Sequence, residues 1–372
     1  MTDRPAGSGA TAPLRPRIAV LGAGAVGGYI GARLFAEGED VTLVDGWAEH
    51  VAAVARSGLA ITGARPEEDD SVRVPILPED RLADLGPIDV AIVAVKSWDT
   101  RRVAELLRPR LAPGGFVVSA QNGLNEPVIA EVVGGDRVVG LIAARIGVEL
   151  DGAGRILRRV SRGSPGIPVF RIGEPNGRTT SRIEALRDLI ATVDSVTVTG
   201  NLTGERWSKL AANAMRNGLS AATGLSIDAM DRDPLLRRFG IRLAGEAVLI
   251  GERVGLRLEG IGGTPAALFA RAAEGDRAAL AEVESALTAS AVSGKAAGQR
   301  PSMGQDILKG RRTEVEEIYG PVLARAEETG VDAWANRRVR DAVRRIESGA
   351  ARPDPAFFQL DPFGDTATEA RD

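Results

Sequence analysis

A glycine-rich turn between two short apolar runs constrains the fold of this 372-residue chain more than any other feature. Residues 17–22 form the first apolar run, residues 28–37 have helical character, and a second run, 41–44, ends at Asp45. The order of strand, glycine turn, helix, strand and acidic residue is typical of a dinucleotide-binding unit. The turn itself consists of Gly22, Ala23, Gly24, Ala25, Val26 and Gly27.

Each part of this motif has an expected role toward a dinucleotide. Gly22 permits a tight turn, Gly24 lets the backbone approach a pyrophosphate, and Gly27 allows close packing of helix on strand. Asp45 stands where a carboxylate accepts hydrogen bonds from the adenosine ribose, so it favours NAD(H) and repels a 2′-phosphate. In the alternative reading, Asp45 only caps the following helix.

The next part of the chain continues the alternation of strand and helix. A crossover helix is predicted over residues 99–111, ended by Pro113 and Gly114. This pattern predicts an α/β domain with a parallel, doubly wound sheet. Later short alternating runs predict smaller antiparallel strands that complete the domain. The predicted strands of the first kind are 90–95, 116–120 and 138–142, and those of the second kind are 155–160, 169–172 and 195–199.

From Leu202 onward the pattern is almost wholly helical, with turn signals that include Gly218 and Gly224. The sequence therefore predicts two domains, with a boundary near residue 200. The predicted segments are a disordered lead-in at 1–16, a dinucleotide-binding domain at 17–200, a helical substrate domain at 201–350, and a surface-draped or disordered tail at 351–372.

Composition excludes several classes of partner. The formal net charge is −3 and the pI is near 5.6, which disfavours a nucleic-acid or anionic-membrane surface. The chain has no cysteine, so it has no disulfide and no cysteine-ligated metal, and we expect no metal site and a cytoplasmic location. No uncharged apolar run approaches the ~18 residues of a membrane helix.

Lys209, Asn213 and Asn217 recur at spacings of four residues, which places them on one face of a predicted helix. Neighbours on this line are about 6 Å apart along the helix axis. An amine and two carboxamides would suit a small polar group such as a carbonyl. His50 is the only histidine, so lysine is the natural candidate for a proton donor.

Further polar residues stand near predicted element ends. Lys96 and Asn122 follow two of the predicted strands, where they could reach a cofactor phosphate, ribose or nicotinamide. Ser302 is a plausible helix N-cap. Glu314 follows it by more than three helical turns, so the two can touch one ligand only if the helix starts late or bends.

Taken together and in order, these motifs resemble the ketopantoate reductase family, over roughly residues 17–345. The motifs that carry the resemblance are GAGAVG, VKSW with Lys96, QNG with Asn122, WSKLAANAMRN with Lys209, and PSMGQDILKGRRTEVE with Ser302 and Glu314. The resemblance implies a Rossmann domain followed by an all-helical domain, with the active site in the cleft between them. A homodimer is possible.

The resemblance also implies roles for individual residues. Lys209 would protonate the carbonyl oxygen of a 2-oxo acid as hydride arrives, and Glu314 would hold that lysine and the new hydroxyl. The residues that would orient the substrate are Asn213, Asn217 and Ser302. Asn122 would lie near the nicotinamide, and Lys96 near the cofactor ribose or phosphate.

Two departures leave alternatives open. Family members that use NADPH tend to carry an arginine after the second strand, where this chain has Gly46, so we expect a lean to NADH with NADP(H) possible. Residues 298–301 also differ from the family pattern, so a different branched 2-oxo acid, or oxidation of a 2-hydroxy acid, competes with ketopantoate reduction. A flavoprotein and a non-catalytic dinucleotide-binding protein are further alternatives.

Overall fold

The computed structural model describes residues 15–163, 168–293 and 298–364, so most of the expected lead-in lies outside the described residues. The strands are β1 (Arg17–Leu21), β2 (Asp40–Asp45), β3 (Leu59–Thr62), β4 (Asp70–Val72), β5 (Ile76–Pro78), β6 (Ile88–Val93), β7 (Leu111–Ser119), β8 (Val138–Ala143), β9 (Val148–Leu150), β10 (Arg155–Arg158), β11 (Phe170–Gly173) and β12 (Val196–Val198). Within the described residues, no helix combines the length and apolar character needed to cross a membrane.

Helices flank the strands in the first half, and in the described residues of the second half they are the main regular structure, beside one isolated β-bridge between Ile261 and Thr264. The helices of the first half are α1 (Ala25–Ala36), α2 (Ala48–Ser57), α3 (Thr100–Leu107), α4 (Glu126–Val133) and α5 (Ser181–Ala191). Those of the second half are α6 (Leu202–Thr223), α7 (Ile227–Arg232), α8 (Pro234–Arg253), α9 (Ala266–Ala273), α10 (Arg277–Val292), α11 (Ser302–Leu308), α12 (Val315–Thr329) and α13 (Trp334–Glu347).

The main sheet confirms the predicted doubly wound architecture. Its strand order is β12-β11-β8-β7-β6-β1-β2-β5. The six neighbouring strands β8, β7, β6, β1, β2 and β5 pair in parallel. Because β1 lies between β2 and β6, the winding direction reverses there. In such sheets the ligand crevice lies beyond the carboxyl ends of the strands at the reversal.

The strands after residue 150 differ in part from the prediction. β11 is antiparallel to β8, as expected, but β12 is parallel to β11. β10 leaves the main sheet and pairs in parallel with β3 in a separate sheet of order β4-β3-β10-β9. Alternating hydrophobicity shows that a strand has one buried face, but it does not specify the partner strand or its direction.

The predicted crossover helix is too long. α3 ends at Leu107, a 3-10 turn covers Arg108–Arg110, and β7 already begins at Leu111, so Pro113 and Gly114 lie within a strand. The turn contains Pro109, which has no backbone N–H and so cannot donate the hydrogen bond that would continue the helix. The helix therefore ends earlier than its apolar periodicity indicates.

Both faces of the main sheet are buried, as its apolar strands require. Val20 of β1 belongs to an apolar cluster with Ile30 of α1, whereas its neighbour Leu21 belongs to a second cluster with Leu107 of α3. All four side chains are essentially buried. Burial of each such side chain is worth about 1.5–3 kcal/mol, so helices on both faces hold the carboxyl edge rigid.

Helix α6 forms the centre of the helical half and packs against α8, α11 and α13. The prediction of a turn at Gly218 is wrong, because α6 continues to Thr223 and ends at Gly224 with a left-handed φ of 73°. A Cβ at Gly218 would lie 2.2 Å from the hydroxyl oxygen of Tyr319. Glycine is therefore needed for close packing of the helix, and not for a turn.

The tail folds back on the helical half as far as residue 364. The Asp354 nitrogen donates to the Ala222 oxygen at 2.8 Å, and Phe358 is fully buried with its ring centroid 4.8 Å from that of Phe239. Residues 353–364 thus lie over the surface of the helical half, as the surface-draped alternative predicts, and Phe358 is the buried point of attachment. Phe357, Phe358 and Phe363 lack helical periodicity but supply apolar surface to an existing core.

Candidate active site

The glycine turn connects the carboxyl end of β1 to the start of α1. Gly22 has a φ of +90°, and a Cβ there would lie 2.6 Å from the Val95 nitrogen. A Cβ on Gly27 would lie 2.1 Å from the Gly22 oxygen, which enforces the close packing of α1 on β1. A Cβ on Gly24 would meet nothing within 4 Å. The turn is thus tight at its base and open at Gly24.

This turn fits the pyrophosphate of a dinucleotide. Gly24 is the N-cap of α1, without a side-chain cap and with no acidic residue in the first turn. Amides of a first helical turn lack helical partners, and the helix dipole adds partial positive charge. The N–H groups that would hold the pyrophosphate belong to Ala25, Val26 and Gly27.

Asp45 lies at the end of β2 and supports the turn. One carboxylate oxygen accepts from the Ala23 nitrogen at 2.7 Å, and the other accepts from the Trp47 nitrogen at 2.8 Å. The N-cap residue of α2 is Trp47 and the helix has no side-chain cap, so Asp45 is not the helix cap that the alternative predicts. Each oxygen retains a lone pair that could accept from a ribose hydroxyl, and that role remains a prediction.

The line of Lys209, Asn213 and Asn217 lies on α6, one continuous helix. Lys209 donates from Nζ to the oxygen of Ala143, at the carboxyl end of β8. The Nδ2 atom of Asn213 is buried and has no hydrogen-bond partner among the described residues. Asn217 is also buried. A buried amide without a partner is costly, so this face of α6 is suited to receive a polar ligand.

The surroundings of Lys209 lower its pKa to about 7. Desolvation of the ammonium by the surrounding protein is the largest cause, and the nearby positive charge of Arg206 adds to it. The Glu314 carboxylate acts in the opposite direction and raises the pKa. A lysine with this pKa can both give and take a proton near neutral pH, which an ordinary surface lysine does poorly.

Glu314 is placed against the first domain by Ser97. It is the N-cap residue of α12, is buried, and accepts at Oε1 from the Ser97 nitrogen at 2.9 Å and from the Ser97 hydroxyl at 2.8 Å. The direct Glu314–Lys209 pair implied by the family resemblance is not formed among the described residues. Ser97 donates to Oε1 of Glu314, while Lys209 donates to the oxygen of Ala143. The charges of Lys209 and Glu314 therefore interact only at longer range.

Lys96 contacts two carboxylates of the helical half of the chain. Its Nζ lies 2.5 Å from an Asp306 carboxylate oxygen and 3.7 Å from Oε2 of Glu314. This ammonium therefore faces two carboxylates of the helical half, while its expected contact with a cofactor ribose or phosphate remains a prediction. Burial raises the pKa of Asp306, and Lys96 opposes that shift.

The single helix predicted from Ser302 is in fact two. Pro301 is the N-cap of α11 and Ser302 is the first helical residue, so the prediction of Ser302 as N-cap is wrong. α11 ends at Leu308, and Gly310 has a φ of 62° in the connector to α12. The break lets α11 pack on α6 through Gly304, while the connector carries Glu314 toward Ser97.

Asn122 follows β7 and contacts the same polar network through its backbone. Its oxygen accepts from the Ser97 hydroxyl at 2.8 Å and from Nδ2 of Asn125. Its side chain forms no hydrogen bond within the described part of the chain and is partly exposed. Asn122 and Glu314 are thus linked through Ser97, whose hydroxyl contacts both residues.

Arg206 is a site residue that the sequence analysis did not identify. Its guanidinium is buried and donates to the oxygens of Ser119 and Gln121, each at 2.7 Å, and to Glu126 at 2.8 Å. These bonds fix the start of α6 to the carboxyl end of β7. The available signal was an arginine three residues before Lys209, which is one helical turn away.

The two halves of the chain match models of one protein family. The model described as ketopantoate reductase PanE/ApbA matches residues 18–167, and the model of its C-terminal domain matches residues 201–347. The 2-dehydropantoate 2-reductase of Halobacterium salinarum is 30% identical over 331 residues, which cover 88% of this chain and 98% of that protein. The enzyme of the same name from Archaeoglobus fulgidus is 28% identical and covers 90% of this chain and 98% of its own.

Solved structures give the same result. A PanE/ApbA family ketopantoate reductase from Ralstonia eutropha has a TM-score of 0.72 at 26% identity and covers 90% of this chain and 99% of its own. A complex of D-mandelate dehydrogenase with NADH has a TM-score of 0.73 at 19% identity and covers 90% of this chain and 100% of its own, which shows a common fold.

Proposed function

Because the chain belongs to the ketopantoate reductase family and is an oxidoreductase of that kind, we propose that it reduces a branched 2-oxo acid to the 2-hydroxy acid. Ketopantoate is the first candidate substrate. The observation that carries the proposal is Lys209, whose pKa of about 7 and position on α6 suit a proton donor in the cleft. A bound reduced nicotinamide supplies the hydride.

Lys209 provides the proton that balances the reaction. Hydride addition forms the new C–H bond with two electrons, and the former carbonyl oxygen gains negative charge. The Nζ ammonium stabilises that charge and transfers its proton to the oxygen, which leaves a neutral amine. General-acid and electrostatic assistance of this kind is worth roughly 10² to 10⁴ in rate. Glu314 counteracts the desolvation of the ammonium and so maintains a protonated fraction.

Asn213, Asn217 and Ser302 are proposed to orient the substrate. The unpartnered Nδ2 of Asn213 would donate to a substrate oxygen, which removes the cost of leaving that donor buried. Ser302 opens α11, which packs on the second half of α6. Three short polar side chains on two packed helices are pre-ordered, so little conformational entropy is lost on binding.

Family membership supports binding of a pyridine nucleotide at the glycine turn. We propose a preference for NADH over NADPH, because the Asp45 carboxylate would accept from the ribose hydroxyls and repel a 2′-phosphate. Asn122 would lie toward the nicotinamide end. We further propose a homodimer in the cytoplasm as the working form.

The test is turnover of NADH and NADPH by the purified full chain against a panel of 2-oxo acids. The panel contains ketopantoate, other branched 2-oxo acids, and unbranched ones as controls. We expect cofactor oxidation that depends on a branched 2-oxo acid and is faster with NADH. Binding of NADH without turnover of any panel member would support a dinucleotide-sensing protein, and a tightly bound yellow flavin would support the flavoprotein alternative.

A further inference from the structure

The connector between α11 and α12 places two adjacent arginines over two tryptophans of the first domain. The guanidinium carbon of Arg311 lies 5.4 Å from the ring centroid of Trp47, and that of Arg312 lies 4.9 Å from the ring centroid of Trp98. Both tryptophans follow strands at the carboxyl edge of the main sheet. Each guanidinium is attracted to the negative face of the aromatic ring beneath it.

Arg311 carries a charge that no acidic group neutralises directly. Both arginines are exposed, and among the described residues neither guanidinium forms a salt bridge or hydrogen bond. The Arg311 backbone is fixed, because its nitrogen donates to the oxygen of Asp306 at 2.8 Å. The N–H donors of the Arg311 guanidinium are therefore available to an anionic ligand.

The position of Arg311 matches the adenosine end of the proposed cofactor site. The Trp47 backbone nitrogen donates to Asp45, and its ring stacks on His50, so the residue that carries the indole is held beside the carboxylate at the end of β2. A ribose held by Asp45 would carry its 2′ position on this side of the turn, where a 2′-phosphate is usually met by an arginine. Position 46, the residue after Asp45, is glycine and supplies no charge.

We propose that Arg311 supplies this missing cation from the opposite domain and lets the protein accept NADPH as well as NADH. The inference rests on the proposed nicotinamide-dependent function. The planar guanidinium would pair with two oxygens of the 2′-phosphate while Trp47 supports its face. Arg311 thereby offsets the repulsion from Asp45 and limits the preference for NADH that Asp45 creates.

The experiment measures binding of two adenosine fragments, ADP and 2′,5′-ADP, by calorimetry on the full chain, without turnover. Wild-type protein should bind both fragments, with ADP the tighter of the two, because Asp45 still repels the 2′-phosphate. Arg311→Gln should weaken 2′,5′-ADP about tenfold or more and ADP less than twofold, since a hydrogen-bonded charge is lost only for the phosphate. Arg311→Lys should retain part of the difference because the positive charge remains.

Arg312→Gln is the matched control, since it removes an equal charge from the same connector. It should change both affinities by the same factor. Equal effects of Arg311→Gln on both fragments, or no effect on either, would contradict the inference while leaving the proposed reductase function intact. A wild-type protein that binds ADP but rejects 2′,5′-ADP would also contradict it. Failure of both fragments to bind would overturn the dinucleotide-dependent function as well.

Discussion

Asn336 and Asn213 carry the same side chain on two packed helices of one domain, yet their amide nitrogens are in opposite states. Nδ2 of Asn336 is buried and donates to the Leu243 oxygen at 3.1 Å and to Oε2 of Glu246 at 2.8 Å. Nδ2 of Asn213 is buried and has no partner among the described residues. Although Oδ1 of Asn336 also lacks a partner, its bonded N–H group stabilises the bundle, whereas an unbonded N–H group reduces stability unless a ligand completes it.

The charged groups show the same difference. Glu246 is fully buried beside Arg242, and it accepts from the backbone nitrogens of Ala335 and Asn336 at the start of α13. Lys209 is held by one carbonyl oxygen and only distant charges, and its pKa is lowered to about 7. The Asn336 amide nitrogen and the Glu246 carboxylate are thus bonded within the protein, whereas the Asn213 amide nitrogen on α6 has no partner among the described residues.

The largest effect is expected from Lys209→Ala, which removes the proposed acid. The kcat should fall by roughly 10² to 10⁴, because the developing oxyanion loses its proton donor and its counter-charge. Thermal unfolding should show no loss of stability, since the cost of burying an ammonium disappears. Lys309→Ala, at an exposed lysine paired with Glu149, is the control and should retain activity. Undiminished turnover in Lys209→Ala would contradict the proposal that Lys209 donates the proton.

Asn336→Ala should act on stability and not on catalysis. It removes two hydrogen bonds, and it leaves a Glu246 oxygen with fewer partners, at a cost of about 2 kcal/mol or roughly 30-fold in the unfolding equilibrium. Chemical denaturation would measure this loss, and the KM for the 2-oxo acid should stay the same. Unchanged stability would show that the two asparagines do not differ as described.

Asn213→Ala should change substrate binding and leave stability nearly unchanged, which is the reverse of the Asn336→Ala result and a smaller effect. Because its amide has no protein partner to lose, the unfolding free energy should change by no more than about 0.5 kcal/mol. The KM for the 2-oxo acid should rise about tenfold, since a donor to the substrate is removed. A drop in stability with unaltered KM would mean that Asn213 is structural.

Local features of the fold and site could be predicted from the sequence. The glycine turn and the Lys209 line each depend on residues close together in the chain, so turn geometry and helical periodicity were enough to find them. Asp306 and Ser97 could not be found this way, because their contacts with Lys96 and Glu314 join residues 210 and 217 positions apart. Only the packing of one domain on the other brings them together.

The errors in helix and strand limits have related causes. The break between α11 and α12 occurs near Gly310, where domain packing decides the path of the chain against the local helical pattern. Phe358 lacks periodic apolar neighbours, so the sequence pattern predicts no buried position for it, although it completes an apolar core. In both cases tertiary contacts outweigh local preference.

The most direct test of the central claim is the pH dependence of kcat/KM for the 2-oxo acid, measured with saturating reduced cofactor. Lys209 must be protonated to donate, and it loses that proton as pH rises through about 7. The account predicts a plateau below pH about 7 and a fall of about tenfold per pH unit above it. Reduction that stays constant up to pH about 9 would contradict the assignment of Lys209 as the acid.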